Sequence, residues 1–267
     1  MRVSLKIRLF TIFFIILLCI GLTTKILQND TFYIIKVGED ILENGIDLID
    51  HYSWIGNLSY SYPHWLYDVI IYLIYKKFNY LGIYISTIIL FIFLILSIYM
   101  INLKINKNEM IATVISFIAI PCLGGFVTAR AQLVTAILFL WQVYFIEELI
   151  KNGNKRNIIY LTIISLLVAN LHATIWPFYF ILYLPFIGQH IIYKLLIRKN
   201  KNKVISSKLI ITEIKNVKKI LISIICGLLM GFLTPSKICF SYIFKVMQGN
   251  SQNYIIEHAP MVLIENW

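Results

Sequence analysis

The stretch LGIYISTIILFIFLILSIYMINL, residues 81–103, decides the class of fold. It carries no charged residue and is longer than the roughly 20 residues that a helix needs to cross a bilayer. A second uncharged run, residues 9–24, follows Arg2, Lys6 and Arg8. We interpret it as an uncleaved first span with its basic end in the cytoplasm, because no small-x-small cleavage site follows it.

The composition points to the same class. Of the 267 residues, 59% are apolar and 14% charged, and the mean hydropathy is +0.79. Soluble domains carry about 25% charged residues, so the classes of soluble protein are excluded. The four cysteines show neither a CxxC pair nor a metal-ligand spacing, so the sequence indicates neither a disulfide framework nor a zinc site.

Five further segments are long and apolar enough to be predicted as spans. They are residues 110–127, 131–149, 157–170, 174–193 and 220–234. Residues 65–75 are also apolar, but Asp68 interrupts them and Lys76-Lys77 stops them well short of a bilayer's thickness. We therefore predict a juxtamembrane or half-inserted helix there, and seven spans in all.

The distribution of basic residues supports seven spans over eight. With a cytoplasmic N-terminus, the inside loops are 104–108, 151–156 and 194–219, and all three are basic, as the positive-inside rule requires. An eighth span at 65–75 would turn these bases outward. The loop 194–219 holds nine bases against one acid, so we predict anionic lipid, and not nucleic acid, as its partner.

The first outer loop, residues 28–79, is acidic. Six of the thirteen acidic residues lie between positions 30 and 50. Apolar residues recur there at helical spacing after Asp30-Thr31 and before Asn44-Gly45, which predicts an amphipathic helix. The predicted fold is therefore an all-α polytopic membrane protein. Its single module covers residues 1–267, with juxtamembrane helices in the first loop and an extracytoplasmic tail at 236–267.

Two carboxylates of this loop are candidate catalytic groups. Asp30 stands just beyond the first span, where it could act on a substrate at the membrane surface, although an Asp at that place also suits a helix cap. Asp50 could activate an acceptor hydroxyl or, with Asp30, hold a divalent cation such as Mg²⁺ or Mn²⁺. Alternatively, Asp50 starts a turn with His51 and Ser53.

The candidate binding residues lie on the same predicted face. Arg130 could grip a phosphate bidentately or be a snorkelling cation, and His172 could reach a phosphate or satisfy the backbone at the bend between two spans. The remaining candidates are His51, His64, Trp65 and Glu257. Ionisable groups close to a membrane are costly, so their convergence on one face indicates a functional site.

Several of these strings resemble motifs of a known family. Asp30-Thr31-Phe32-Tyr33, the Asp50-His51-Tyr52-Ser53-Trp54 segment and Pro63-His64-Trp65-Leu66 resemble the first outer loop of bacterial membrane glycosyltransferases of the GT-C superfamily. Ala129-Arg130-Ala131-Gln132 resembles their Arg-Pro-Gln, and Asn170-Leu171-His172-Ala173 resembles their Asn-x-His-Gly. The chain departs from the family where Ala131 replaces the Pro and where no Glu precedes Trp65.

The resemblance implies an inverting enzyme that works at the outer face of the plasma membrane. It implies a polyprenyl-phosphate-linked sugar donor, a glycan, lipid or protein of the cell envelope as acceptor, and an essential carboxylate, here Asp30. Arg130 and His172 would then lie near the donor phosphate and offset its charge. Because such enzymes usually have more spans, we expect the module to be incomplete at its C-terminus.

Other functions are compatible with the same residues. A non-catalytic scaffold, a transporter-like module or an inactive glycosyltransferase fragment would use Asp30 only as a cap. A transporter should carry ionisable groups at mid-span, and the spans 81–103 and 110–127 have none. A polymerase or ligase for surface polymers would share the lipid-linked substrate and add a large late outer loop.

Overall fold

The computed structural model describes residues 5–54, 58–199, 216–237 and 239–240. Within these residues the regular secondary structure is helical, apart from one isolated antiparallel bridge between Ile49 and Ser59. The all-α class predicted from the sequence is confirmed.

The described residues form nine α-helices, named here in chain order. They are α1 (Leu5–Leu22), α2 (Asn29–Asn44), α3 (Trp65–Asn106), α4 (Glu109–Gly124), α5 (Ala131–Asn152), α6 (Lys155–Leu171), α7 (Trp176–Ile181), α8 (Leu184–Lys199) and α9 (Val217–Met230). Three short 3₁₀ turns accompany them at Ala173–Ile175, Gly231–Leu233 and Pro235–Lys237.

Among the described residues, four stretches are long and apolar enough to cross a membrane. They are α1, α3, α5 and the stretch Ala173–Leu195, which includes α7 and most of α8. Helix α4 is apolar but shorter. In α1 the buried residues Thr11, Ile15 and Cys19 recur every fourth position, while apolar residues on its other faces, such as Phe10 and Phe13, are exposed. A helix that is apolar all round but buried along one stripe suits a lipid environment.

Helix α3 joins two segments that the sequence distinguished. Asn79 has φ 52° and ψ −156°, which is not helical, and it divides the predicted juxtamembrane segment 65–75 from the predicted span 81–103. The break expected near Lys76-Lys77 is confirmed. The break at Asn79 lets the first part of α3, which carries Asp68, Lys76 and Lys77, take a different direction from the apolar part.

The amphipathic helix predicted in the first loop is α2. It begins at Asn29 and ends at Asn44, where Gly45 adopts φ 80°, a conformation that favours glycine. Inside it, Gly38 lies against α3 so closely that an added Cβ would stand 2.2 Å from the carbonyl oxygen of Asp68. This glycine sets how near α2 and α3 approach.

Long-range contacts sort the helix termini into two ends of the bundle. At the first end, which we call the Arg8 end, the guanidinium of Arg8 donates to both carboxylate oxygens of Glu109, at 2.8 and 2.6 Å. The Tyr99 hydroxyl donates to the same carboxylate at 2.6 Å, and Lys219 donates to the Gly153 carbonyl at 2.5 Å. The start of α1 therefore lies with the start of α4 and the end of α3, and α9 begins beside the α5–α6 turn.

The opposite end, called the Asp30 end, gathers the other termini. Asp30 in α2 is paired with Arg130 just before α5, and the backbone N–H of Ala173 donates to the Pro63 carbonyl at 2.7 Å. The loop after α1, the residues just before α5 and the bend after α6 thus contact one another. This is the arrangement expected of helices that alternate in direction.

Candidate functional site

Asp30 and Arg130 form an ion pair at the Asp30 end. Arg130 Nη2 contacts Asp30 Oδ2, with the Asp30 side chain 57% exposed and that of Arg130 26% exposed. Arg130 reaches this position as the residue that precedes α5, in an extended conformation. The two groups that the sequence assigned separately to catalysis and to phosphate binding therefore contact each other directly.

The capping alternative for Asp30 does not hold in the described structure. The residue at the N-cap of α2 is Gln28, and Asp30 lies within the first turn. A carboxylate there still interacts favourably with the helix dipole, but its side chain pairs with Arg130. Helix capping is thus not what holds this carboxylate.

A second acid–base pair lies at the start of α3. His64 Nδ1 is 2.6 Å from Asp68 Oδ1, and Asp68 is fully buried. The two residues are four positions apart and therefore share one face of the first turn. A carboxylate bound to one ring nitrogen fixes the tautomer and orientation of an imidazole, which leaves Nε2 of His64 for another partner.

The bend after α6 packs against this pair. The indole N–H of Trp65 donates to Asn170 Oδ1 at 3.2 Å, and His172 Nδ1 lies 2.9 Å from the Thr135 hydroxyl. The rings of His64 and His172 are 6.3 Å apart. The motif around His64 and the motif around His172 are thus joined in space, as the prediction of a single site required.

One apolar cluster connects this histidine pair with the Asp30–Arg130 pair. It contains Ala129 and Ala131, which flank Arg130, together with Tyr67, Leu171 and Ile34. Thr135, the partner of His172, bonds back to the carbonyl of Ala131 at 3.0 Å. The two polar pairs therefore belong to one region, built from α2, the start of α3, the start of α5 and the end of α6.

The side chain of His172 is buried, and its surroundings disfavour a positive charge. It is 5% exposed, and burial together with the charge of nearby His64 lowers its pKa to about 3. The neutral form of His172 is therefore favoured at pH 7 in the protein without a bound ligand. Its hydrogen bond with Thr135 fits the structural alternative, in which it holds the bend.

Asp50 starts a turn, which was the alternative interpretation of this residue. Its Oδ1 accepts from the backbone N–H groups of Tyr52 and Ser53, at 2.8 and 3.2 Å. Such an Asx turn uses the carboxylate locally, next to the Ile49–Ser59 bridge of a short hairpin. No described contact joins Asp50 to Asp30.

His51 is paired with Asp47, a residue the sequence did not single out. Its Nε2 lies 2.5 Å from Asp47 Oδ2, while Asp47 Oδ1 accepts from the Tyr62 hydroxyl at 3.0 Å and from the Ile49 N–H. These bonds, that of His51 first, lower the pKa of Asp47 to about 2, and the Asp47 carboxylate raises the pKa of His51. This pair ties the hairpin together and is exposed.

Metal binding at Asp30 and Asp50 finds no support in the geometry. Among the residues that the structure describes, no group of three or more His, Cys, Asp or Glu side chains is placed to hold a metal ion. Glu257 lies outside the described residues, as do most of the predicted loop 194–219 and most of the tail 236–267.

Several buried polar atoms in this region have no hydrogen-bond partner in the described structure. They include Asp68 Oδ2, the Tyr67 hydroxyl and Arg130 Nε. Buried polar atoms are normally paired, so these atoms retain hydrogen-bonding capacity for water or for a polar ligand. Sequence reasoning noted Asp68 only as an interruption of an apolar run, although its spacing of four from His64 on a helical pattern was the available signal.

No protein-family model, curated protein or solved structure matches this chain. The class of protein is therefore defined by the fold and the candidate site alone. It is an all-helical protein with several helices suited to a membrane, and with a cluster of polar and ionisable side chains at one end of the bundle.

Proposed function

We propose that the protein is an inverting membrane glycosyltransferase that takes a sugar from a polyprenyl-phosphate donor at the outer face of the plasma membrane. The observation that carries the proposal is the pairing of Asp30 with Arg130 beside the His64–Asp68 pair. These residues come from motifs that resemble the GT-C superfamily. The acceptor is a glycan, lipid or protein of the cell envelope.

The proposal includes seven spans, with the Arg8 end in the cytoplasm. Helices α4, α6 and α9 are shorter than a bilayer requires and cross by using their flanking residues. Basic residues gather at the Arg8 end, as the positive-inside rule favours. The Asp30 end then faces the cell exterior, where lipid-linked sugars and envelope acceptors meet.

In the proposed reaction the donor phosphate displaces Asp30 from Arg130. Arg130 presents a planar fork that matches a phosphate, and its Nε is buried without a partner. Because the Asp30 side chain is more than half exposed, it is free to leave the pair at little cost. Donor binding thereby releases the carboxylate at the place where the acceptor arrives.

The chemical step is a single displacement. Asp30 accepts the proton of the acceptor hydroxyl, whose oxygen attacks the anomeric carbon of the sugar. The bond from that carbon to the phosphate oxygen breaks, and its electron pair leaves with the polyprenyl phosphate. Arg130 stabilises the negative charge that grows on the departing phosphate. The anomeric configuration is inverted, because attack and departure occur on opposite faces.

His64 positions the phosphate in this scheme. Asp68 fixes its ring through Nδ1, so Nε2 is left to donate to a phosphate oxygen. His172 and Thr135 hold the bend against which His64 packs, and they act without charge.

The decisive experiment compares Asp30→Asn with Glu43→Gln. Both changes remove one carboxylate charge from α2, and Glu43 is exposed on the same helix. The full chain, reconstituted in liposomes, is given radiolabelled polyprenyl-phosphate hexoses and an envelope extract as acceptor. We expect Asp30→Asn to lower transfer by about 10²-fold or more, and Glu43→Gln to leave it unchanged.

Equal transfer by the two variants would overturn the proposal. The protein would then be better described as a scaffold, in which the Asp30–Arg130 pair only ties α2 to the start of α5. Absence of transfer by the unsubstituted protein with every donor in the panel would favour the same conclusion.

A further inference from the structure

An apolar groove lies between α3, α5 and the break between α7 and α8, and it runs along α5 from Ala136, next to Thr135, to Glu147. It has a volume of about 360 Å³. Its apolar lining consists of Ile101, Ala136, Phe139, Leu140, Val143 and Leu182. Ala136 and Val143 are exposed, so the groove opens sideways from the bundle rather than into its core.

A charged cavity of about 310 Å³ adjoins this groove at the Arg8 end. The two share Ile105, Tyr144 and Glu147 in their linings. The charged part is further lined by Lys104, Lys107, Lys151 and Glu148. An apolar trough thus runs directly into a cluster of lysines.

The balance of charge in the cavity favours an anion. Lys151 is neutralised by Glu147, whose carboxylate lies 3.0 Å from its ammonium, and Glu148 accepts from the amide of Asn152 at 2.7 Å. Lys104 and Lys107 have no carboxylate partner in the described structure. Two unneutralised lysines therefore face a single carboxylate that is already hydrogen-bonded.

Lys104 is also held in place. Its ammonium lies 4.7 Å from the centre of the Tyr144 ring and 5.3 Å from that of Trp141. Contact with two rings restrains the long side chain at the top of the groove. Lys107 is the C-cap of α3, with its backbone in the left-handed region at φ 52°.

The groove runs from the end of the apolar zone into that zone, which is the position of a lipid headgroup and its acyl chain. The apolar run of α3 ends immediately before Lys104, and that of α5 ends shortly before Lys151, so the lysines stand at the boundary of the apolar zone. Lysines at that depth attract anionic lipid headgroups. The apolar trough extends from them toward the middle of the bundle, in the direction that an acyl chain takes.

We propose that this groove binds one anionic phospholipid, with its phosphate between Lys104 and Lys107 and an acyl chain against Phe139, Leu140 and Val143. The inference rests on the membrane class of the chain and not on the proposed sugar transfer, because Lys104 and Lys107, which would hold the phosphate, lie at the Arg8 end.

The test uses the full chain in detergent, titrated with dioleoyl phosphatidylglycerol or dioleoyl phosphatidylcholine and examined by native mass spectrometry. The variant Lys104→Gln/Lys107→Asn removes both charges, and Asn tolerates the left-handed conformation at position 107. The matched control, Lys76→Gln/Lys77→Gln, removes two exposed lysines from the same helix near its break. A third variant, Ala136→Trp, fills the groove without changing charge.

We expect the groove-lysine variant to bind phosphatidylglycerol about an order of magnitude more weakly than the unsubstituted protein, and the control to bind it equally well. Ala136→Trp should lose the tight lipid while its helical content, read by circular dichroism, stays the same. Equal weakening in both lysine variants would overturn the proposal in favour of diffuse attraction. So would undiminished binding by Ala136→Trp, or equal affinity for the two lipids.

Discussion

Asp30 and Arg130 contact each other directly, although Asp30 lies just after the first helix and Arg130 just before the fifth. The pair joins α2 to the junction of α4 and α5. In the proposed reaction it is also the resting state of two groups that separate when a phosphate arrives.

Replacing Arg130 should separate these two roles. Arg130→Gln removes the charge, and Arg130→Lys keeps it but loses the planar fork. We expect both variants to lose transfer, with Arg130→Gln the more severe. The free energy of unfolding should change by less than about 1 kcal/mol, because Asp30 is largely exposed. Transfer assays and chemical unfolding in detergent measure the two quantities.

The reciprocal variant Asp30→Arg/Arg130→Asp is the control for this prediction. It restores the ion pair with its charges exchanged, so stability should recover while transfer does not. Recovery of transfer would contradict a chemical role for either residue.

The His64–Asp68 pair predicts a large effect on stability. His64→Ala leaves the carboxylate of Asp68 buried without a partner, which should cost about 3 kcal/mol of unfolding free energy. Asp68→Asn should cost less, since an amide still accepts a hydrogen bond from His64. Thermal unfolding of the two variants in the same detergent gives the comparison, and an equal cost would show that the buried charge is not what makes His64 necessary.

Gly38 should tolerate no side chain. In Gly38→Ala the new Cβ would lie 2.2 Å from the Asp68 carbonyl oxygen and 2.8 Å from Tyr72 Cβ, so α2 would have to move away from α3. We expect a loss of about 1–3 kcal/mol in unfolding free energy. Gly21→Ala is the matched control, because no atom lies within 4 Å of its added Cβ and alanine favours the helix.

Stability should fall in mild acid because of His172. The pKa of His172 is lowered to about 3 in the folded protein, from its ordinary 6.5. Below pH 6.5 the unfolded chain therefore binds a proton that the folded chain excludes, and stability decreases as the pH falls. We expect the melting temperature to drop between pH 6.5 and 4.5, and His172→Gln to flatten that drop.

His51 supplies a control of opposite sign. Its pKa is raised by Asp47, so its contribution to stability is complete below pH 6.5 and is lost as the pH rises through the folded-state pKa. His51→Asn should remove a decline on the alkaline side and leave the acid-side loss intact. An unchanged acid-side loss in His172→Gln would show that another group causes it.

Much of the fold could be predicted from the sequence because it depends on local patterns. The uncharged run 81–103 indicates a membrane helix by length alone, and the helix that begins near Asp30 and ends at Gly45 follows from apolar spacing and a glycine stop. The interruption near Lys76-Lys77 likewise anticipated the break at Asn79. In each instance the physical cause lies within a few turns of chain.

For the candidate site, the sequence predicted which residues lie together but not the contacts between them. The sequence indicated that Asp30, Arg130, His64 and His172 share a face, since alternating helices bring every second loop to the same end. It left open which side chain meets which, because an ion pair such as Asp30–Arg130 depends on how α2 lies across the bundle.

The surroundings of each histidine were likewise decided by the tertiary structure alone. His172 and His51 are both histidines near a predicted outer surface, yet burial lowers the pKa of one and a neighbouring carboxylate raises that of the other. Burial and charged neighbours come from parts of the chain that are distant in sequence. The sequence by itself therefore determined a helical membrane protein with its unusual polar residues on one face. Packing decided which of them are paired, buried or charged.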